Sequence, residues 1–269
     1  MSAIAIGFAR IGFELRGYFR RPDTVFFTFL FPLLMLGIFG AAFSSLGEVG
    51  AKPDGTGGVS MAAYYLPGLV AAGIFLSGVQ NLAIDIAQEK HDGTLKRLGG
   101  TALPPASYFI GKIGLTLVTA ILQAALTIAF GVAVFGIALP SGPGAWATFA
   151  WLFLLGIATM SLLGIALSAL PRSGRSATAV VLPIVLVLQF ISGVYLQFTM
   201  LPGWLQSIAG VFPLKWLAQG MRAVFLPEHF ASAEPSGAWD LGLVALALGA
   251  WLAVGLAATL ITFRWTKRS

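Results

Sequence analysis

Ile4, Phe8, Ile11, Leu15 and Phe19 recur every three to four positions, with Arg10, Glu14, Arg16 and Arg20 on the opposite side. That spacing predicts an amphipathic helix lying in the plane of a membrane surface within residues 1–23. Arg21-Pro22-Asp23 then turns the chain, and the pattern changes. Six runs are apolar on all sides, at 24–45, 62–84, 106–136, 145–170, 175–197 and 239–263. A helix needs about 20 such residues to cross a bilayer. The first run is longer than the roughly 7–15 apolar residues of a signal segment, so an uncleaved span is expected. The third is long enough to tilt or to extend beyond the bilayer. Pro32, Pro67 and Pro183 fall inside runs, where a proline either curves a helix or supplies a hinge. The expected fold is an all-α integral membrane protein. Its single transmembrane domain, 1–269, has a surface helix and six spans.

The links between runs differ in character. Residues 46–60 are glycine-rich and read as a flexible loop, and Pro140 and Pro143 mark a short turn. The link 198–238 is long but apolar, with Trp204, Ile208, Phe212, Trp216, Leu217, Met221 and Phe225. It predicts two short helices that re-enter the outer leaflet or pack over the spans, with Pro213 suited to the first turn of the second. An interfacial helix without a transport role is the alternative. The link 85–105 is compact. Ile84 to Leu98 either continues the second span or forms a short surface helix, and Pro104-Pro105 ends it. Glu89, Lys90, Asp92, Lys96 and Arg97 offer both signs of charge, Leu95 and Leu98 can fill a groove on a partner, and Gly93 permits a bend. An ordinary polar loop is the bland reading.

Composition narrows the class. The chain is 58% hydrophobic and 10% charged, too few charges to cover a soluble domain of this size. Without cysteine it has neither disulfides nor thiolate metal sites. Its net charge of +6 is spread over the ends of apolar runs, which fits a membrane protein better than nucleic-acid binding. Arg10, Arg16, Arg20, Arg21, Lys90, Lys96, Arg97, Lys112, Arg172, Arg175, Arg264, Lys267 and Arg268 fall on one side of the six-span layout. Only Lys52, Lys215 and Arg222 fall on the other. The excess predicts both termini and the 85–105 segment in the cytoplasm.

Several chemistries find no residues here. Gly111-Lys112 lacks the following Ser or Thr and the preceding glycine of a phosphate-binding loop, so the chain should not hydrolyse ATP itself. The two histidines, His91 and His229, stand in loops on opposite sides, and no His-Glu-x-x-His zinc motif exists. Ser192-Gly193 has no histidine to activate it and reads as helix packing. All acids lie in loops or near span ends, whereas ion-coupled carriers usually keep an ionisable group inside the bundle. Gln80, Asn81, Gln123 and Gln189 either join helices or line a path. Gly164-x-x-x-Ser168 and Gly249-x-x-x-Ala253-x-x-x-Ala257 allow close helix approach.

Glu89-x-x-x-Gly93-Thr94-Leu95-x-x-Leu98, then Thr101, Pro104, Tyr108 and Gly111-Lys112, resembles the signature of ABC-2-type permeases. Ser192-Gly193, Leu201-Pro202-x-Trp204-Leu205-Gln206, Pro213 and Arg222 form a second match, with a departure at Gln197, where family members often have proline. The chain is most similar to the daunorubicin-resistance-type drug-export permeases. The resemblance implies the membrane subunit of an ABC exporter, with two permease chains pairing with two separate ATPase subunits that bind ATP and Mg. It implies a coupling element formed by Asp85, Glu89, Lys90, Gly93, Thr94, Leu95, Lys96, Arg97 and Leu98. It also implies that the surface helix touches the ATPase and that spans one, two and five border the path. Phe26, Phe27, Phe31, Met35, Gln80 and Gln189 would then suit an amphiphilic drug-like or lipid cargo, and Pro202, Trp204, Pro213, Trp216 and Arg222 belong to the outer re-entrant region. Efflux, multidrug export and antibiotic resistance follow as expectations, with a location in the cell membrane among lipids. A polysaccharide or lipid-linked glycan exporter is the alternative within the family. An ion-coupled carrier, and more remotely a membrane enzyme, are the alternatives outside it.

Overall fold

Ser60 opens the most deeply buried helix of the molecule, its hydroxyl accepting the Ala63 N–H at 3.2 Å. The computed structural model describes residues 2–52, 56–101 and 103–263. Arg264, Lys267 and Arg268, counted toward the basic side, lie outside them. Helix α1, Ala3–Phe19, is capped by Ser2, whose hydroxyl accepts the Ala5 N–H. Helix α2 is Pro22–Ala42, α3 is Met61–His91 and the short α4 is Thr94–Gly99. The long helices α5, Pro105–Phe135, and α6, Pro143–Leu167, follow, then α7, Ser176–Ile191. Two outer helices, α8, Gly203–Ala209, and α9, Pro213–Phe225, precede α10, Leu241–Thr262. Pro22, Pro105, Pro143 and Pro213 each stand in a first helical turn, where a missing N–H costs nothing.

Among the described residues α2, α3, α5, α6 and α10 are long and apolar enough to cross a membrane. Helix α7 is apolar but has 16 residues. It ends short of the expected boundary at 197 because Gly193, at φ +78°, turns the chain away. The second helix instead runs past the expected boundary at 84 to His91, so the segment after Ile84 begins as an extension of it. The 46–60 loop is less free than expected. Val49 and Val59 exchange backbone hydrogen bonds at 2.9 and 3.0 Å, and His229 Nε2 meets the Gly50 carbonyl at 2.8 Å.

Helix α3 is the axis of the bundle. Leu66 through Phe75 are buried without a break, packed by α2, α5, α6 and α9. Two helices widen into π-helical turns, at Phe26–Leu30 in α2 and Leu76–Asn81 in α3. The first has a visible cause. Pro32 offers no N–H to the Thr28 carbonyl four residues back, and the wider turn makes room for its ring. The second carries Gly78, whose carbonyl occupies the place a Cβ on Gly164 of α6 would need. The expected close approach at Gly164 is therefore made with α3. A Cβ on Gly249 would meet open space, so the second small-residue row packs nothing at that position.

The loops segregate. Ser107 Oγ donates to the Ala3 carbonyl at 2.7 Å, and His91 Nε2 lies 3.3 Å from the Pro171 carbonyl, gathering α1, the start of α5, the end of α3 and the 168–175 loop at one end. We call it the basic end, since Arg10, Arg21, Lys96 and Arg97 lie there.

Candidate coupling site

Helix α1 lies against α5 through close-fitting contacts. Ile110 fills the space over Gly7, Arg10 the space over Gly111, and Ile11 the space over Gly114. This fit carries Glu14 to the side of Lys112. Asp85 and Glu89 are four residues apart on α3 and so share one helix face, which points at the same lysine. Lys112 Nζ donates to Glu14 Oε2 at 2.8 Å, to Glu89 Oε1 at 2.7 Å and to Asp85 Oδ2. The other carboxylate oxygens are also used. Arg10 pairs with Glu14 Oε1 at 2.9 Å, Arg21 with Asp85 Oδ1 at 2.7 Å, and the Tyr108 hydroxyl donates to Glu89 Oε2 at 2.7 Å. The Arg10 guanidinium lies 5.0 Å from the Tyr108 ring centre.

The three carboxylates lie within 4.8 Å of one another, close enough to hold a metal ion. The Lys112 ammonium fills that role as a fixed internal cation. Three positive and three negative side chains thus cancel in a site where Lys112 is wholly buried. Burying ions costs several kcal/mol each unless they are paired and hydrogen-bonded. Every charge in the cluster is paired, and Lys112 hydrogen-bonds all three carboxylates, although Arg10 Nε and Glu14 Oε1 keep no hydrogen bond among the described residues. The pairs tie α1, the start of α2, α3 and α5 together.

The segment expected to touch a partner divides into two parts. Asp85 and Glu89 are committed to Lys112 inside the chain. Leu95 is also spent internally, buried with Leu82, Ile86, Tyr108 and Ile165, while Leu98 packs at the edge of that group. Lys96 and Arg97 are exposed and Lys90 is partly so. Gly93, at φ +81°, makes the bend between α3 and α4 that a side chain would strain. The Thr94 N–H is capped by Asp92 Oδ1 at 2.8 Å.

The expected path residues are dispersed. Phe27 is exposed on α2, Phe31 and Met35 are partly buried, and Gln80 is partly buried in the π turn of α3. Asn81 Nδ2 donates to Thr28 Oγ1 at 2.9 Å, so Phe27 and Gln80 flank one bond between the two π turns. Gln189 is sealed inside α7 and accepts the Tyr195 hydroxyl at 2.6 Å. At the opposite end, Pro202 precedes α8, Trp204 is exposed, Pro213 opens α9, and the Trp216 indole donates to the Gly210 carbonyl at 2.8 Å. Arg222 is buried, its guanidinium bound to Glu234 at 2.7 and 2.6 Å and to the Gly193 carbonyl at 3.1 Å.

Sequence reasoning missed the convergence on Lys112. Its signals were a lysine inside an apolar run and two acids four residues apart just past the end of the neighbouring run.

Residues 9–226 match the family model described as ABC-2 type transporter. The chain is similar to a protein named as a transport permease, ycf38, of Cyanophora paradoxa, at 27% identity over 252 residues, 93% of this chain and 83% of that protein. It is also similar to a protein of Escherichia coli strain K12 named as a multidrug ABC transporter permease, YbhR, at 23% identity over 188 residues. That match takes in 69% of this chain and spans half the length, 50%, of the relative.

Proposed function

From the premise that the chain belongs to the ABC-2 type transporter family, and is thus a multi-pass membrane transport subunit, we propose that it is the permease of an ATP-driven exporter. It works as one of two permease copies, with separate ATPase subunits that bind ATP and Mg at the cytoplasmic face. Its cargo is an amphiphilic drug-like or lipid molecule, a reading supported by the word multidrug in the name of one relative. The chain crosses the membrane six times with both termini inside, α7 being the fifth crossing, and 198–238 forms the outer re-entrant region.

The ionic cluster around Lys112 is the observation that carries this reading. A permease must convert the motion of a soluble motor into movement of helices. Here the exposed face of α4, with Lys96 and Arg97, is the contact, and Leu95 keys α4 to α3, α5 and α6. Asp85 and Glu89 then bind α3 to α5 and to the surface helix through one lysine. A push on α4 is spread over these helices as a body, toward the π turns where Thr28 and Asn81 join α2 to α3. An ion-coupled carrier is disfavoured because Glu14, Asp85 and Glu89 already hold fixed cations.

Reversing both exposed charges, Lys96→Glu with Arg97→Glu, tests the reading. The variant should insert and fold normally but lose the ATPase that copurifies with the wild type, and with it ATP-dependent export from vesicles. An unchanged yield of ATPase and unchanged export would remove α4 as the coupling element. Purification of the wild type without any nucleotide-binding subunit, from membranes in which such complexes survive, would overturn the exporter itself.

A further inference from the structure

Away from the ionic cluster, at the other end of the bundle, the chain forms a cavity of about 230 Å³. It lies between the first outer loop, the start of α3 and the stretches after α7 and α9. Tyr64, Tyr65, Phe230 and Met200 give it apolar walls, and Gln197 and His229 give it polar edges. The Tyr64 ring stands edge-on to Tyr65 at 5.5 Å and lies 6.3 Å from Phe230. Among the described residues no charged side chain lines it. Arg222 and Glu234 pair with each other in a neighbouring recess that shares Tyr64, Gln197, Phe230 and Ala233 with this cavity.

The cavity is joined to the interior by a track of rings. Tyr65 lies 4.6 Å from Phe39 of α2, Phe39 lies 6.2 Å from Tyr195, and Tyr195 lies 5.3 Å from Phe190 of α7. The Tyr195 hydroxyl ends on Gln189, whose amide nitrogen is buried without a partner among the described residues. Phe31, Met35 and Phe39 follow one another at four-residue spacing, so the track continues one face of α2.

We propose that this cavity is an exit-side cargo subsite that accepts the uncharged ring system or short alkyl end of an amphiphile, with Gln197 and His229 meeting a single polar group. A dry apolar cavity of about 150 Å³ holds benzene, so this one has room for two fused rings. The described walls offer no counter-charge, and an ionic head entering between them would lose its water without compensation. The subsite rests on the export reading for its role, but its occupancy can be measured without transport.

The full chain in lipid nanodiscs is titrated with 6-propionyl-2-dimethylaminonaphthalene, a neutral two-ring dye whose emission shifts on leaving water, against empty nanodiscs. A saturable component of one dye per chain is expected. Met200→Trp, at a mouth residue that is 76% exposed and so replaceable without refolding the site, should weaken it at least tenfold. Ala233→Phe, which fills the cavity from another wall, should do the same. Wild-type binding without a saturable component, or equal affinity in both variants, overturns the subsite. ATP-driven export of the same dye by the complex with its ATPase separates the two claims. Export that persists while both variants bind dye normally sinks the subsite and leaves the exporter. Binding that follows the expected pattern in a complex that exports nothing keeps the site and sinks its exit role together with the exporter.

Discussion

Lys112 and Lys215 are both withdrawn from solvent, 0% and 4% exposed, at opposite ends of the same bundle. Lys112 meets three carboxylates. Lys215 meets none directly among the described residues. Its ammonium sits 3.9 Å from the Trp216 ring centre and 5.1 Å from that of Phe198, and it donates to Gln219 Oε1. Burial lowers its pKa to about 8. The basic end is thus cross-linked by fixed charges that join four helices, whereas the other end is packed from rings, one ion pair and a lysine whose charge burial disfavours. On the proposed export reading, a motor pushing on the first needs stiffness, and a cargo leaving through the second needs walls that part without stranding charge.

The largest effect should come from breaking the stiff end. Lys112→Met leaves Glu14, Asp85 and Glu89 crowded with Arg10 and Arg21 alone to neutralise them. Removing one partner of a buried ion pair costs about 3–5 kcal/mol, and three carboxylates lose their shared cation here. The variant should fall at or above that range, read as a large drop in melting temperature and in inserted protein. Adding Glu89→Gln should recover only part of the loss, because Glu14 and Asp85 remain. Full recovery would mean that the cluster is one pair with bystanders.

Arg222→Leu sharpens the contrast. It strands Glu234 alone, and the loss should lie toward the lower end of the same range of about 3–5 kcal/mol. Here a second change, Glu234→Leu, should restore most of the stability, since an apolar pair can replace a buried ion pair at little cost. Thermal melts of the single and double variants decide it. A double variant as unstable as the single one would show that the Arg222 contact with the Gly193 carbonyl holds the turn after α7.

The same contrast explains what could be read from the chain itself. The surface helix, the apolar helices and the two outer helices split at Pro213 are each written in local periodicity and turn chemistry. The helix of the second run continues past 84, one of the two readings its sequence allowed, and that of the fifth stops before 197, each for a local reason of another kind. Polar Gln88, Glu89 and Lys90 continue a helix when tertiary partners receive them, and Gly193 ends one inside an apolar run. Glu14, Asp85 and Lys112 lie far apart in sequence, and nothing in their spacing fixes which side of each helix they occupy. The wider turn at Phe26–Leu30 was foreshadowed by Pro32, whereas that at Leu76–Asn81 has no proline to announce it.

The smallest expected effect is the most direct test of the soft end. An unfolded chain keeps the lysine proton to about pH 10.4, while Lys215 in the folded chain releases it near 8. Between those values the unfolded state holds more protons, so the folded state gains stability as pH rises. Below about 8 both states are charged and the contribution stays at its lower level. Lys215→Met removes this titration, along with a hydrogen bond and two ring contacts whose loss is a constant offset. Melting temperatures of both proteins should therefore be compared as a difference across pH 7 to 10. Wild type minus variant should increase through that window by a few degrees. A difference that stays flat would mean that the rings and Gln219 solvate the ammonium as well as water does. The two ends would then differ in their partners but not in how firmly they hold a charge.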